Sequence, residues 1–138
     1  MKFILDASVP LKTVIPESNS SLAIKLMDDY RRGIHELIAP DIFSAEIGHA
    51  LTRAERQRRI SAPDGWRFWS EIMADPPEFH PHLPMMQRAF DISSSRRIGL
   101  YDCIYVALAE QEDCDLVTAD EKLIKNLPGF PIVALENL

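Results

Sequence analysis

Four short apolar runs, separated by longer amphipathic stretches, constrain this chain more than any other feature. FIL at 3–5, ELIA at 36–39, DLVTA at 115–119 and IVAL at 132–135 are bounded by polar or turn residues and read as buried strands. EFHPHL at 78–83 is a weaker strand, because Pro81 carries no amide donor. Helical patterns fill the intervals, over 20–32, 41–59, 64–73, 84–94, 100–112 and 119–127. Alternation of this kind is resolved by a central parallel sheet of four to five strands with helices on both faces, an α/β fold. At 138 residues the expectation is a single domain over 1–138, with a core large enough to fold without disulfide or metal staples.

In such sheets ligands collect outside the carboxyl ends of the strands. Asp6 directly follows FIL and Asp120 directly follows LVTA, so two carboxylates should share one edge. Each has a plainer role open to it, since aspartate commonly caps the segment that follows. The helices add two more acids. In the 41–59 pattern Phe43, Ile47, Ala50 and Ala54 form an apolar stripe, and Glu46 falls on its margin. Residues 101–109 are apolar on nearly every side, with Asp102 the single charge near the start, where the helix dipole alone would also favour it. Four gathered carboxylates repel one another unless protons or a cation offset the charge. Oxygen ligands select a hard ion, Mg²⁺ or Mn²⁺, which acidifies bound water and stabilises charge on a phosphate. The constellation points to phosphodiester cleavage.

The residues that carry this chemistry also carry a resemblance. LDASV at the amino terminus, PDIFSAEIGHAL around Glu46 and IGLYDCIYVALAEQEDCDLVTADEKL near the end resemble the four acidic motifs of PIN domains, and among them the VapC-like toxins of toxin-antitoxin pairs. The likeness spans essentially the whole chain. It implies an Mg²⁺- or Mn²⁺-dependent endoribonuclease in which Asp6, Glu46, Asp102 and Asp120 match the metal-binding acids. Ser8 and Thr118 lie where family members often place a hydroxyl near the site. A homodimer silenced by a small antitoxin is implied as well, and with no apolar run long enough for a membrane span or a signal-peptide core the expected location is cytoplasmic. Pro10, Thr13 and Gly48-His49 depart from the pattern without removing an acid, which bears on substrate fit more than on chemistry.

A formal net charge of -6 and a pI near 5.1 argue against coating nucleic acid non-specifically. Local cations remain: Arg53, Arg56, Arg58 and Arg59 follow Glu46 on one helix, and Arg96 and Arg97 precede Asp102. Arg53, Arg56 and Arg97 are the candidate RNA contacts, against the plainer reading of a solvated face. GWRFWSEIM at 65–73 is apolar on more than one side, with one side for the core and the other free for a partner or second subunit. Glu46-x-x-His49 lacks the second Glu-x-x-His of a di-iron site, and His80-Pro81-His82 reads as a surface loop. Cys103 and Cys114 are 11 residues apart, roughly 16 Å along a helix and beyond the ~7 Å of a disulfide. No apolar run approaches the ~18 residues of a membrane span. Two rival functions stand beside cleavage. A phosphoacceptor signalling domain, with Asp41 as acceptor, leaves Glu46 and Asp102 unused; a PIN fold retained only for binding leaves all four acids unused.

Overall fold

The computed structural model describes residues 1–138 and places strands at Lys2–Leu5 (β1), Glu36–Pro40 (β2), Glu78–His80 (β3), Asp115–Thr118 (β4) and Ile132–Ala134 (β5). Helices run over Ser8–Val14 (α1), Ser20–Arg31 (α2), Phe43–Arg56 (α3), Asp64–Ala74 (α4), Met86–Arg96 (α5), Leu100–Gln111 (α6) and Glu121–Asn126 (α7). All strand pairs are parallel, in the order β3-β2-β1-β4-β5. Ile4 lies opposite Ile38 on one side and Leu116 on the other. The chain therefore winds outward from β1 through β2 to β3, then crosses back to β4 and β5. Right-handed crossovers place α1 to α4 on one face and α5 to α7 on the other.

The central strand is apolar without alternation because both its faces are covered: Phe3, Ile4 and Leu5 are all buried in a cluster of 29 core residues. α6 shows the same logic in helical form, buried continuously from Cys103 to Ala109, as a helix apolar on every side must be. In α3 the buried set is Phe43, Ile47, Leu51 and Ala54. Leu51 takes the place expected of Ala50, and Glu46 is left half-buried at the margin.

Two elements differ from the sequence expectation. α1 was hidden by β-branched Val9, Thr13 and Val14 and by Pro10, yet a proline in the first turn costs no intrahelical hydrogen bond. Thr13 Oγ1 donates to the Pro10 carbonyl at 2.6 Å. β3 is real but short, and its position at the sheet edge is where the nearby Pro81 does least harm.

Candidate active site

β1 and β4 are neighbours, but the chain leaves their ends toward opposite faces of the sheet. A crevice opens at such a switch point. Asp6 and Asp120 stand on its two sides, one residue past β1 and two past β4. Asp6 is buried, and its Oδ2 accepts from Ser8 Oγ at 2.5 Å, from Thr118 Oγ1 at 2.9 Å and from the Ser8 amide at 3.4 Å. Ser8 Oγ in turn accepts the Ala119 amide at 3.0 Å, and Thr118 Oγ1 accepts the Asp120 amide at 3.0 Å. One network of two hydroxyls thus ties the loop after β1 to the loop after β4. Asp120 also fills the capping role open to it, Oδ1 accepting the amides of Lys122 and Leu123 at 3.0 and 3.4 Å. Oδ1 is occupied by the cap, and Oδ2 is not.

Glu46 arrives from the first turn of α3 and Asp102 from the first turn of α6. Both are half-buried. Burial raises the Glu46 pKa to about 7, against a lowering contact from the Tyr105 phenol, and the charges of Asp6 and Asp102 raise it further. Burial likewise raises Asp102 to about 6, helped by Asp6 and Asp120. Asp6 is raised by burial, opposed by its hydrogen bonds, with Asp120 adding to the rise. Asp6, Glu46 and Asp102 therefore each feel at least one other acid of the set. No cation answers them: none of the four takes part in an ion pair.

The donor set is all oxygen, which suits a hard divalent cation. Glu46 Oε1 is buried without a hydrogen-bond partner, as is the neighbouring Tyr105 Oη. A buried oxygen left unpartnered is costly unless something at the site uses it. No three carboxylates, thiols or imidazoles converge closely enough to enclose an ion. That spacing still fits Mg²⁺, which keeps several waters and binds through only one or two carboxylates.

Other expected residues fall elsewhere. Arg53, Arg56 and Arg97 are exposed, the first two on the α3 surface and Arg97 at the end of α5. His49 is exposed. His82 Nδ1 lies 2.6 Å from Asp41 Oδ1, and that aspartate also accepts the His82 amide, so Asp41 serves a surface turn rather than the acid cluster. Cys103 and Cys114 are free thiols, and burial pushes Cys103 up to about 11. On α4, Ile72 enters the core, while Trp66 is 71% exposed and stacks on Trp69 with ring centres 5.1 Å apart. Tyr105 is buried, with the charges of Glu46, Asp6 and Asp102 acting on it; the sequence shows it as the second tyrosine of the Tyr-Asp-x-x-Tyr pattern without giving it a role.

Residues 3–128 match the family model of the PIN domain, and the chain belongs to the PIN domain family. It is 30% identical over 116 residues to ribonuclease VapC9 of Mycobacterium tuberculosis, covering 80% of this chain and 87% of that protein. Its fold resembles the crystal structure of PAE2754 from Pyrobaculum aerophilum, with a TM-score of 0.72 at 19% identity over 99% of this chain and 91% of the other. A toxin-antitoxin complex from Klebsiella pneumoniae gives a TM-score of 0.62 at 13% identity, over 96% of this chain and 97% of that one. At those identities the two structures share a fold with this chain. No helix is long and apolar enough to cross a membrane.

Proposed function

We propose that this chain is a metal-dependent endoribonuclease and the toxin of a toxin-antitoxin pair, with residues 1–138 acting as one PIN nuclease unit in the cytoplasm. The observation that carries the reading is a set of mutually repelling, cation-free carboxylates delivered from four elements to the switch point of the sheet. The family and the ribonuclease name of the relative from Mycobacterium tuberculosis support the substrate class. The toxin-antitoxin complex of the same fold supports a protein partner.

In this reading Asp6, Glu46, Asp102 and Asp120 together would hold Mg²⁺ or Mn²⁺, one or two of them directly and the others through its waters, and the ion when bound would supply positive charge against a phosphate and acidify a water. The chain's own groups prepare that site. Ser8 and Thr118 fix Asp6 by its Oδ2, and the α7 cap fixes Asp120 by its Oδ1, so one oxygen of each is left to face the crevice. Glu46 offers Oε1, which has only the nearby Tyr105 phenol and no hydrogen bond of ordinary geometry. With its pKa near 7 this carboxyl still carries a proton in slightly acidic solution, and that proton must leave before Oε1 can face a cation. Metal affinity therefore rises as pH passes from about 6 to about 8. Arg53, Arg56 and Arg97 attract the RNA backbone toward an edge that is otherwise acidic. The exposed Trp66 on α4 is the anchor for a second subunit of a homodimer or for the small antitoxin.

The deciding experiment is cleavage of a single-stranded RNA by the purified protein with EDTA, with EDTA followed by excess Mg²⁺, and with Mn²⁺. Chelation should abolish cleavage and either ion should restore it. Equal cleavage in the chelated sample would overturn the metal-dependent reading.

A further inference from the structure

Apart from Arg32, the lysines and arginines that hold no carboxylate lie in three segments. Arg53, Arg56 and Arg58 are at or just past the end of α3, Arg96 ends α5 with Arg97 directly after it, and Lys122 and Lys125 are on α7. The helices that carry or adjoin these segments are the ones that bring Glu46, Asp102 and Asp120 to the sheet edge. Elsewhere the cations are spoken for: Lys12 and Arg59 both hold Glu17, Arg31 holds Asp28 and Asp75, and Arg88 holds Glu110. In a chain of formal net charge -6, carboxylates are plentiful, so free cations grouped on the same few elements that deliver the acids are not a consequence of composition.

A second observation is independent of the first. Four residues other than glycine have positive φ: Asn19 at 66°, Arg58 at 58°, Arg97 at 59° and Asp113 at 51°. Asparagine and aspartate tolerate that region because their short side chains hydrogen-bond locally. Arginine has no such compensation, and a helix end of this kind favours glycine. Both arginines follow a helix, the Arg58 amide donating to the Glu55 carbonyl at 3.0 Å and the Arg97 amide to the Ser93 carbonyl at 2.9 Å. Both belong to the unpaired group.

Their placement suits a chain that crosses the acid edge. Arg97 lies five residues before Asp102. α4 runs antiparallel to α3, with Gly65 against Glu55 and Trp69 against Ser44, and it ends at Asp75, which Arg31 holds near the start of the strands. α3 must therefore rise from the end of β2 away from that side. Arg59, beside Arg58, is tied to Glu17 in the connection after α1, the helix that begins two residues past Asp6.

We infer that Arg58 and Arg97 are retained for their charge against the preference of the backbone, and that they anchor phosphates of a single-stranded RNA on two sides of the acid edge, with Lys122 and Lys125 as a third arm. The inference rests on the nuclease reading of that edge, and it extends the contacts beyond Arg53, Arg56 and Arg97. A polyanion held at separated points around one edge has to bend over it, which a single strand does readily and a duplex does not.

The test measures binding apart from cleavage, using a fluorescein-labelled single-stranded RNA of about 12 nucleotides in EDTA across a salt series. Arg58→Gly and Arg97→Gly should each weaken binding by about three- to tenfold and reduce the salt slope by about 0.7, the value for one phosphate contact on a single strand. Each should also melt at the same temperature as wild type or higher, because glycine fits the left-handed backbone. Arg32→Gln, which removes the free cation outside the three segments, should leave both readings unchanged. Unaltered affinity in the double glycine variant would overturn the inference, as would an equal loss in Arg32→Gln or equal affinity for a duplex of the same length. A melting temperature several degrees lower in either glycine variant would show that the arginine serves packing, with the same result. If wild type cleaves RNA under Mg²⁺ while the glycine variants bind normally, the anchors fail and the nuclease reading survives. If wild type binds RNA through these arginines but never cleaves it, the anchors survive and the nuclease reading fails.

Discussion

At the start of the strands, Asp29 accepts from Lys25 at 2.7 Å with His35 at 3.8 Å, and Lys2 meets Glu112 at 3.6 Å. At the opposite end of the same sheet, Asp6, Glu46 and Asp102 have no cation and lean on one another. The lysine beside Asp29 lowers that carboxyl's pKa, whereas burial raises all three at the far end. A cleft of about 360 Å³ lined partly by Phe3, Leu26, Val133 and Leu135 opens at the paired end, not at the acids. Enclosed space therefore does not coincide with the proposed site. Unanswered charge does, because only the unpaired end stores electrostatic energy that the proposed cation and phosphate would release.

The strongest way to break this comparison is to neutralise the unpaired end. Asp6→Asn and Asp120→Asn keep the shape of the network and remove charge from the proposed cation site. Cleavage should fall by about a thousandfold or more, equivalent to about 4 kcal/mol of transition-state stabilisation. Asp29→Asn, at the paired end, should leave the cleavage rate within about twofold. A fall of similar size in Asp29→Asn would mean that the assay reads folding rather than chemistry.

The next effect is on metal-free stability, and the two ends should respond with opposite signs. Glu46 and Asp102 have folded pKa values raised to about 7 and about 6, so the folded state holds protons that the unfolded chain has released. Their stabilising contribution is complete below about pH 4 and is lost as pH rises through 6 and 7. In EDTA, wild type should lose about 2–6 °C of melting temperature between pH 5 and pH 8 from these groups, a range that allows for screening of half-exposed carboxylates. Asp102→Asn should melt at or above wild type at pH 8 and flatten that decline. Adding Mn²⁺ at a hundredfold excess over its dissociation constant should stabilise wild type by about 2.7 kcal/mol and the variant much less. A variant that melts several degrees below wild type and responds fully to Mn²⁺ would make Asp102 a structural helix residue. Asp29 has the opposite linkage. Its pKa is lowered by the Lys25 hydrogen bond, so its contribution is present above the unfolded value near 3.8 and lost as pH falls. Asp29→Asn should therefore lower the melting temperature at neutral pH and lose that penalty in acid.

The unpaired end was also the more legible in the sequence, and for a physical reason. Asp6 and Asp120 sit directly behind runs that must be strands, so the 2.0-residue period of a sheet and the parallel topology fix their edge without any knowledge of packing. Glu46 and Asp102 were recoverable because each is the discordant residue on an otherwise apolar surface. What escaped was set by tertiary contact. α1 carries β-branched residues that weaken its helical signal, and its place is settled by Asp6 and Thr118 gathering around Ser8. The left-handed backbone at Arg58 and Arg97 leaves no trace in residue type, since glycine or asparagine is the usual signal and neither is present. Likewise, the spacing of Trp66 and Trp69 shows that they share a side of α4 but not which ring is covered.

That last pair supplies the smallest effect, and it sharpens the comparison by asking whether a surface belonging to neither end has a role of its own. Trp69 is half-buried and donates Nε1–H to the Ser44 carbonyl at 2.9 Å, at the base of the helix that carries Glu46. Truncating it removes a packed ring and a hydrogen bond, so Trp69→Ala should destabilise the fold by about 2 kcal/mol or more. Trp66 contributes mainly the stack, since most of its surface faces solvent. Trp66→Ala should therefore cost about 0.5–1.5 kcal/mol, the value of one aromatic pair, and leave Mn²⁺ binding unchanged. If the exposed ring anchors a second subunit, the same substitution should raise the dimer dissociation constant about tenfold or more in sedimentation across a dilution series. A variant that folds, binds Mn²⁺ and self-associates like wild type would confine the tryptophans to holding α4 against α3, and the partner surface would have to lie elsewhere.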